Sequence, residues 1–152
     1  MARSAGILLY RIADGEPEVL LVHPGGPFWA RKDAGAWSIP KGEHGDDEDA
    51  QVAALREFEE ETGTALAPAA LDELGTVRQK SGKHVTAWAV EGDLDADAIQ
   101  SNTFEMEWPP RSGRKGTFPE VDRAAWFGLD AAREKLNPAQ VAFLARLGEL
   151  LA

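Results

Sequence analysis

The sequence predicts one α/β domain in which strands, a central helix, further strands and two final helices follow in order. Three observations predict it: two apolar runs near the start, a helical pattern over residues 50–62, and a helical apolar stripe near the end. With 152 residues, the chain can bury about two-thirds of the surface of its unfolded form. We therefore expect a single domain over residues 1–152.

Two strands are predicted first, over residues 4–11 and 18–23, because both runs are apolar. The Asp14-Gly15 pair between them is typical of a hairpin turn. Pro24 ends the second run, and a loop rich in glycine and aromatic residues follows.

The helical pattern over residues 50–62 has a start signal and a stop signal. Asp49 is a suitable N-cap, and Gly63 is a suitable residue to end the helix. The side of the helix that packs against the sheet is predicted to carry Val52, Leu55 and Phe58.

Residues 74–79 and 85–90 predict a second strand pair with a basic turn. The stretch 101–119 has no clear period and is expected to be a long loop that is functional or mobile. Residues 122–127 predict the last strand.

Two short helices complete the prediction, one near residues 130–136 and one from Asn137. Asn137 supplies an N-cap for the second, and Pro138 suits its first helical position. Its apolar stripe consists of Val141, Leu144, Leu147 and Leu151.

Composition excludes several classes of function. The formal net charge of -10 disfavours non-specific binding of nucleic acid through a basic face. The absence of cysteine excludes disulfides, zinc thiolates and thiol catalysis. The apolar run over residues 7–10 is too short for a signal peptide or a membrane span, so we expect a cytoplasmic protein with no membrane partner.

Three glutamates mark the chemistry of the predicted helix. At about 100° per residue, Glu57, Glu60 and Glu61 fall within an arc of about 100°. Like charges at this spacing destabilise a helix by a few tenths of a kcal/mol per pair, roughly. A solvated acidic face tolerates that cost, and a bound Mg²⁺ ion removes it.

The wider spacing favours the metal. The string GEHGDDEDAQVAALREFEEETGT over residues 42–64 resembles the signature of the Nudix family. The matching positions are Gly42, Glu48, Arg56, Glu57, Phe58, Glu60, Glu61 and Gly63. Thr64 departs from the pattern, which has an aliphatic residue there, so local packing is in doubt at that point.

The resemblance implies a Nudix-type α/β/α sandwich with a mixed central sheet, and hydrolysis of a phosphoanhydride bond in a nucleoside diphosphate-X compound with Mg²⁺ or Mn²⁺. It implies that Glu57, Glu60 and Glu61 bind the metal, with Glu57 or Glu60 as the catalytic base. Glu48 and Arg56 are similar to a pair that braces the loop against the helix. The two signature glycines, Gly42 and Gly63, support the site.

Two further segments resemble the subgroup that cleaves diadenosine polyphosphates or 5′-pyrophosphate RNA. The segment 119–127 implies that Glu120 adds a metal ligand, with Glu105 and Glu107 as rivals. The segment 37–42 implies that Lys41 contacts phosphate. The weaker candidates for phosphate contact are Lys80, Lys83, Arg111, Arg114 and Lys115.

Large aromatic residues in the loops are candidates for stacking on a base, or alternatively for capping the core. These are Phe28, Trp29 and Trp108. The three histidines have no metal-ligand spacing, and we assign them no role. The expected partner is a small-molecule nucleotide, with a dinucleoside polyphosphate or a nucleoside triphosphate favoured.

Three other functions remain open at this point. A non-enzymatic Nudix-like module could sense a nucleotide, although the signature is intact. The chain could act on the 5′-pyrophosphate end of RNA. An isomerase of the isopentenyl diphosphate type shares the fold, but it relies on a cysteine that this chain lacks.

Overall fold

The computed structural model describes residues 3–67 and 70–152, and this part of the chain contains eight strands and three α-helices. The strands are β1 (Arg3–Ala13), β2 (Glu16–Pro24), β3 (Lys41–Glu43), β4 (Asp72–Arg78), β5 (His84–Glu91), β6 (Thr103–Glu107), β7 (Lys115–Pro119) and β8 (Val121–Gly128). The helices are α1 (Ala50–Thr62), α2 (Leu129–Lys135) and α3 (Val141–Leu151). None of the helices described is long and apolar enough to cross a membrane.

The main sheet is mixed, in the order β4-β5-β1-β2-β8, and β3 also pairs with β1. Strand β1 runs parallel to β5 and antiparallel to β2 and β3. The predicted hairpin is confirmed, since β1 and β2 pair on either side of the Asp14-Gly15 turn. This arrangement puts the two apolar strands of the sequence at the centre of the sheet.

The sheet has a hydrophobic core on each face, because successive side chains of a strand point in opposite directions. Ile7 and Leu9 pack on one face with Phe58 of α1. Leu8 packs on the other face with Leu144 of α3. Helices cover both faces, so the expected α/β/α sandwich with a mixed central sheet is confirmed.

Helix α1 has the predicted bounds, but its buried side differs in one residue. Gly63 ends the helix in the left-handed region at φ 80°, and its N–H donates to the Glu59 carbonyl. Phe58 is fully buried, whereas Val52 is 56% exposed, so the prediction for Val52 is wrong. Six residues at 100° each place these two side chains about 120° apart around the helix.

The expectation of a long loop over residues 101–119 is also wrong. Strands β6 and β7 form a separate two-stranded sheet, with Phe104 opposite Phe118 and Glu107 opposite Lys115. The side chains of β6 alternate between exposed and half-buried positions. The alternation of polar and apolar residues over 103–107 is the sequence signal that predicts this strand.

The C-terminal helices follow their predicted signals. Asn137 accepts a hydrogen bond from the Ala139 N–H through its side chain, at 3.0 Å. Residues Pro138–Gln140 form a 3-10 turn, and α3 continues from Val141. Leu144 and Leu147 are buried as predicted, whereas Leu151 at the end of the stripe is 37% exposed.

Candidate active site

Two of the four glutamates of α1, Glu57 and Glu61, lie against β3. Glu57 and Glu61 are each only 9% exposed, although both carry a carboxyl group. Glu60 lies beside them with a side chain that is 35% exposed. A solvated acidic face would leave all three side chains in water. The burial of Glu57 and Glu61 therefore contradicts that alternative.

Arg56 joins the loop before α1 to the glutamates on the helix. Its Nε and Nη2 donate to the two carboxylate oxygens of Glu48, both at 2.9 Å. Its Nη1 donates to Glu57 at 2.9 Å and to Glu60 at 3.0 Å. The hydrogen bond from Arg56 holds the pKa of Glu48 below its usual value. A two-pronged, charge-assisted contact of this kind fixes the direction of the side chains.

The backbone of β3 lies directly over the helix. A Cβ atom added at Gly42 would overlap the carboxylate of Glu57. The N–H of Lys41 donates to Glu61 Oε1 at 3.3 Å. Any residue larger than glycine at position 42 would therefore have to displace Glu57 or the strand.

Glu120 joins this group from the junction of β7 and β8. Together with Lys41 and Glu61 it lines a cavity of about 180 Å³. Glu107 accepts the backbone N–H groups of Arg111 and Gly113 instead, at 3.0 and 3.2 Å. Neither Glu105 nor Glu107 lines that cavity. We refer to Glu57, Glu60, Glu61 and Glu120 as the carboxylate cluster.

Burial and like charge disfavour the ionised form of three members of the carboxylate cluster. Burial raises the pKa of Glu61 to about 8, although the Lys41 ammonium opposes the rise. Burial also raises the pKa of Glu57 and Glu120, and the charge of Glu60 adds to both increases. Burial lowers the pKa of Lys41, and the charge of Lys83 lowers it further. The site therefore opposes its own ionisation when no cation is bound.

This set of donors fits a hard divalent cation. Mg²⁺ prefers carboxylate oxygens, and its charge would offset the repulsion within the carboxylate cluster. In the two described stretches, no three acidic or histidine side chains are already gathered around one point. Arg56 engages Glu57 and Glu60, so binding one ion would require these side chains to exchange partners.

An aromatic cleft of about 330 Å³ opens beside Glu120. Phe28 and Trp29 form one side of it, and Phe104 and Met106 of β6 form the other. The rings of Phe28 and Trp29 meet edge to face, with centroids 5.4 Å apart. Trp108 is not among the residues that line the cleft.

A basic cleft of about 340 Å³ opens on the side of Lys41. Lys80 and Lys83, from the turn between β4 and β5, line it together with Lys41. Gln140 is fully buried at its edge, where its amide nitrogen donates to Ser38 Oγ at 3.0 Å and to the Gln79 side chain at 2.9 Å. Arg111, Arg114 and Lys115 do not line it.

Three residues at the site have no role in the sequence-based prediction. Phe104 and Met106 lie in the stretch predicted to be a loop, although the polar-apolar alternation of residues 103–107 indicates a strand. His23 is fully buried at the end of β2, where its ring nitrogens face Asp122 and the Lys32 carbonyl. The sequence around His23 does not indicate these partners, because Asp122 and Lys32 belong to other segments and meet His23 only when the chain folds.

A family model described as the NUDIX domain matches residues 2–147. The chain belongs to the Nudix family. The resemblance seen over residues 42–64 is thereby confirmed, and this Nudix protein is assigned to the hydrolases that act on pyrophosphate bonds. The family generally uses divalent metals such as Mg²⁺. No curated protein matches the chain in sequence.

Solved structures share the Nudix fold over nearly the whole chain. A C. elegans Ap4A hydrolase in a binary complex is 22% identical with a TM-score of 0.71, covering 99% of this chain and 98% of its own. The NUDIX domain of Shewanella oneidensis NrtR, complexed with ADP ribose, is 19% identical with a TM-score of 0.66, covering 99% and 88%. A MutT protein from Methanosarcina mazei is 21% identical with a TM-score of 0.63, covering 99% and 94%.

Proposed function

We propose that this Nudix hydrolase cleaves a phosphoanhydride bond of a dinucleoside polyphosphate with Mg²⁺. The observation that supports it is the cavity lined by Lys41, Glu61 and Glu120, because Glu120 also lines the aromatic cleft and Lys41 also lines the basic cleft. Trp29 lines both clefts. A base would stack in the aromatic cleft, and the polyphosphate chain would extend past Glu120 and Lys41 into the basic cleft. The fold shared with the C. elegans Ap4A hydrolase is consistent with this substrate class.

Each group of the site then has a chemical role. The carboxylate cluster would hold Mg²⁺, whose positive charge would offset the negative charge of the phosphate oxygens and would lower the pKa of a water molecule. Glu57 or Glu60 accepts the proton of the attacking water. The oxygen of that water bonds to phosphorus, the bond from phosphorus to the bridging oxygen breaks, and the bridging oxygen leaves on the other phosphate.

Binding is divided between the two clefts. Stacking on Phe28 and Trp29 would contribute about 1–3 kcal/mol per base. The ammonium groups of Lys41 and Lys83 would hold phosphate oxygens, which matters because the chain carries a net charge of -10 and repels polyanions elsewhere.

The test is a substrate panel with Mg²⁺ and with Mn²⁺, in which products are identified by mass. It includes dinucleoside polyphosphates, nucleoside triphosphates, oxidised nucleotides, nucleotide sugars and triphosphorylated or capped RNA. We expect the highest kcat/KM on a dinucleoside polyphosphate. A higher kcat/KM on RNA would show that the substrate is the 5′ end of RNA and not a dinucleoside polyphosphate. Nucleotide binding without hydrolysis would show that the protein is a nucleotide-sensing module.

Paired variants test the two clefts. Trp29→Leu should raise KM by about 10-fold, whereas Trp108→Leu, outside the aromatic cleft, should leave KM unchanged. Lys83→Met should weaken binding more for substrates with longer phosphate chains, and Lys115→Met should not. Equal effects within either pair would contradict the proposed division.

A further inference from the structure

His23 occupies an unusual position among the buried residues. Its side chain is fully buried at the last position of β2 before Pro24. Nδ1 lies 2.8 Å from Asp122 Oδ1, and Nε2 lies 2.6 Å from the Lys32 carbonyl oxygen. Both ring nitrogens therefore face oxygen atoms at hydrogen-bond distance.

The two contacts hold the ring from two sides. The Lys32 carbonyl oxygen can only accept a hydrogen bond, so Nε2 donates to it. Nδ1 shares the second hydrogen bond with the Asp122 carboxyl group. A buried ring with both nitrogens engaged in this way has a fixed orientation.

Several charged groups lie near these two contacts. From β8, Asp122 faces the ring, and Arg123 Nε lies 3.9 Å from the same Asp122 oxygen. From the loop, Lys32 presents its carbonyl, while its ammonium lies 4.0 Å from the centroid of the Phe28 ring. Asp33 is bound to Trp37 Nε1 and to the ammonium of Lys135.

The hydrogen bonds of His23 connect the loop that forms one side of the aromatic cleft to the strand that follows Glu120. We call residues 25–36 the aromatic loop, because it carries Phe28 and Trp29. The Lys32 N–H donates to the Trp29 carbonyl at 3.0 Å, so the residue that His23 holds is itself bonded to Trp29. On the other side, Asp122 follows Glu120 by two residues, at a register shift between β2 and β8.

We propose that His23 is a positioning residue, which through its two hydrogen bonds ties the aromatic loop to β8 and so fixes the stacking residues relative to Glu120. This rests on the proposed function, because it assigns the aromatic cleft to the base. His23 lines neither the aromatic cleft nor the basic cleft. Its effect reaches the substrate through Lys32 and Trp29, so its loss should impair binding more than the chemical step.

The hydrogen bond to the aromatic loop is tested on the wild-type protein by NMR of the histidine side chains, with His23 assigned by comparison with His23→Gln. We expect an Nε2-bound proton on His23 that exchanges slowly with water, because it is buried and donated to the Lys32 carbonyl. A rapidly exchanging proton at Nε2 would overturn the proposal, whatever the substrate proves to be.

The positioning role is tested with His23→Gln and Asp122→Asn, which keep side-chain size, and with Asp130→Asn as a control on the surface of α2. Amide hydrogen exchange of the full chain should accelerate in residues 25–36 in both test variants, with α1 unchanged. With Ap4A as the substrate, KM should rise by about 10-fold while kcat stays within about 3-fold of wild type. Asp130→Asn should change neither quantity.

The outcomes separate this inference from the proposed function. If Ap4A is not hydrolysed, the proposed function fails, and the NMR and exchange measurements still decide the role of His23. If His23→Gln does not fold, Asp122→Asn decides, because its side chain is one-third exposed and keeps its shape. Unchanged exchange in the aromatic loop, or a fall in kcat with KM unchanged, would overturn the inference.

Discussion

The four glutamates of the carboxylate cluster occupy three kinds of environment. Glu57 and Glu61 are buried against β3, Glu60 is half-buried and bonded to Arg56, and Glu120 lies at the junction of β7 and β8. A glutamate of the same helix, Glu59, is exposed, and none of the hydrogen bonds of Arg56 goes to it. Glu59 therefore provides a matched control for substitutions in the carboxylate cluster.

We predict that Glu57→Gln or Glu60→Gln lowers kcat on the best substrate by at least about 10²-fold, because each removes an acceptor for protons or metal. Glu59→Gln should retain wild-type turnover. Steady-state kinetics on all three variants, with folding checked by circular dichroism, provide the measurement. Near wild-type turnover in both test variants would remove the carboxylate cluster from the mechanism.

Glu120 should act as a metal ligand, whereas its rivals should not. Glu120→Gln is expected to raise the Mg²⁺ concentration needed for half-maximal rate, because Glu120 shares a cavity with Glu61. Glu105→Gln and Glu107→Gln should leave that concentration unchanged. Titrating Mg²⁺ for the three variants decides the point: a shift in one of the rivals beside an unchanged Glu120 curve would reassign the ligand.

The sequence predicts residues of the site well where they are close together in the chain. Glu57, Glu60 and Glu61 share one helix, so spacing alone brings them to one side. Spacing alone does not distinguish Glu120 from Glu105 and Glu107, because only the fold determines which of these glutamates lies near α1. His23 illustrates the limit, since both of its partners come from other segments.

Helix α1 and strand β3 meet through a contact that excludes a side chain at Gly42. We predict that Gly42→Ala lowers kcat by about 10²-fold and destabilises the fold by about 1–3 kcal/mol, because the added methyl group overlaps the Glu57 carboxylate. Gly148→Ala is the control, since a Cβ there meets nothing within 4 Å. Denaturant unfolding and kinetics of both variants give the comparison, and wild-type behaviour of Gly42→Ala would contradict the close approach.

Elements with strong local signals were predicted closely, and α1 has the expected bounds of residues 50–62. The β6–β7 hairpin was not predicted because Pro109, Pro110 and Gly113 between its strands, and Gly116 within β7, favour a loop. The five residues of β6 still alternate between polar and apolar types, which is a weak signal in so short a segment. The backbone hydrogen bonds with β7 stabilise β6 as a strand.

The stability of the whole molecule should depend on pH through Glu61. Its pKa is raised by burial to about 8 in the folded protein, above the usual value of 4.5. Between these values the folded state binds more protons than the unfolded state, so stability falls as pH rises. We predict that the metal-free melting temperature falls by several degrees from pH 5 to pH 8. Glu61→Gln should flatten this dependence, and Glu59→Gln should preserve it.

Mg²⁺ should counteract the loss at high pH. An ion that binds only the folded state stabilises it by about 2.7 kcal/mol at a hundred times Kd. Because ligands must be deprotonated, the Mg²⁺-dependent rise in melting temperature should be larger at pH 8 than at pH 5.5. Glu61→Gln should leave the metal-free melting temperature at pH 8 unchanged or higher and should reduce the rise. Melts at constant ionic strength separate binding from screening, and a flat response with a non-hydrolysable dinucleotide present would count against the metal site.

The sheet order also has a consequence for the rate of folding. The β1–β2 hairpin closes a short turn, but β1 pairs with β5 through Arg3 and His84, and β2 pairs with β8 through Glu18 and Gly128. Pairings so distant along the chain form slowly, because long segments must be ordered first. Glu120 reaches the site only when β8 docks on β2. Refolding molecules should therefore form the hairpin early and complete the Mg²⁺ site last. Binding of Mg²⁺ during refolding should appear as a late kinetic phase, which chelation of the metal would remove.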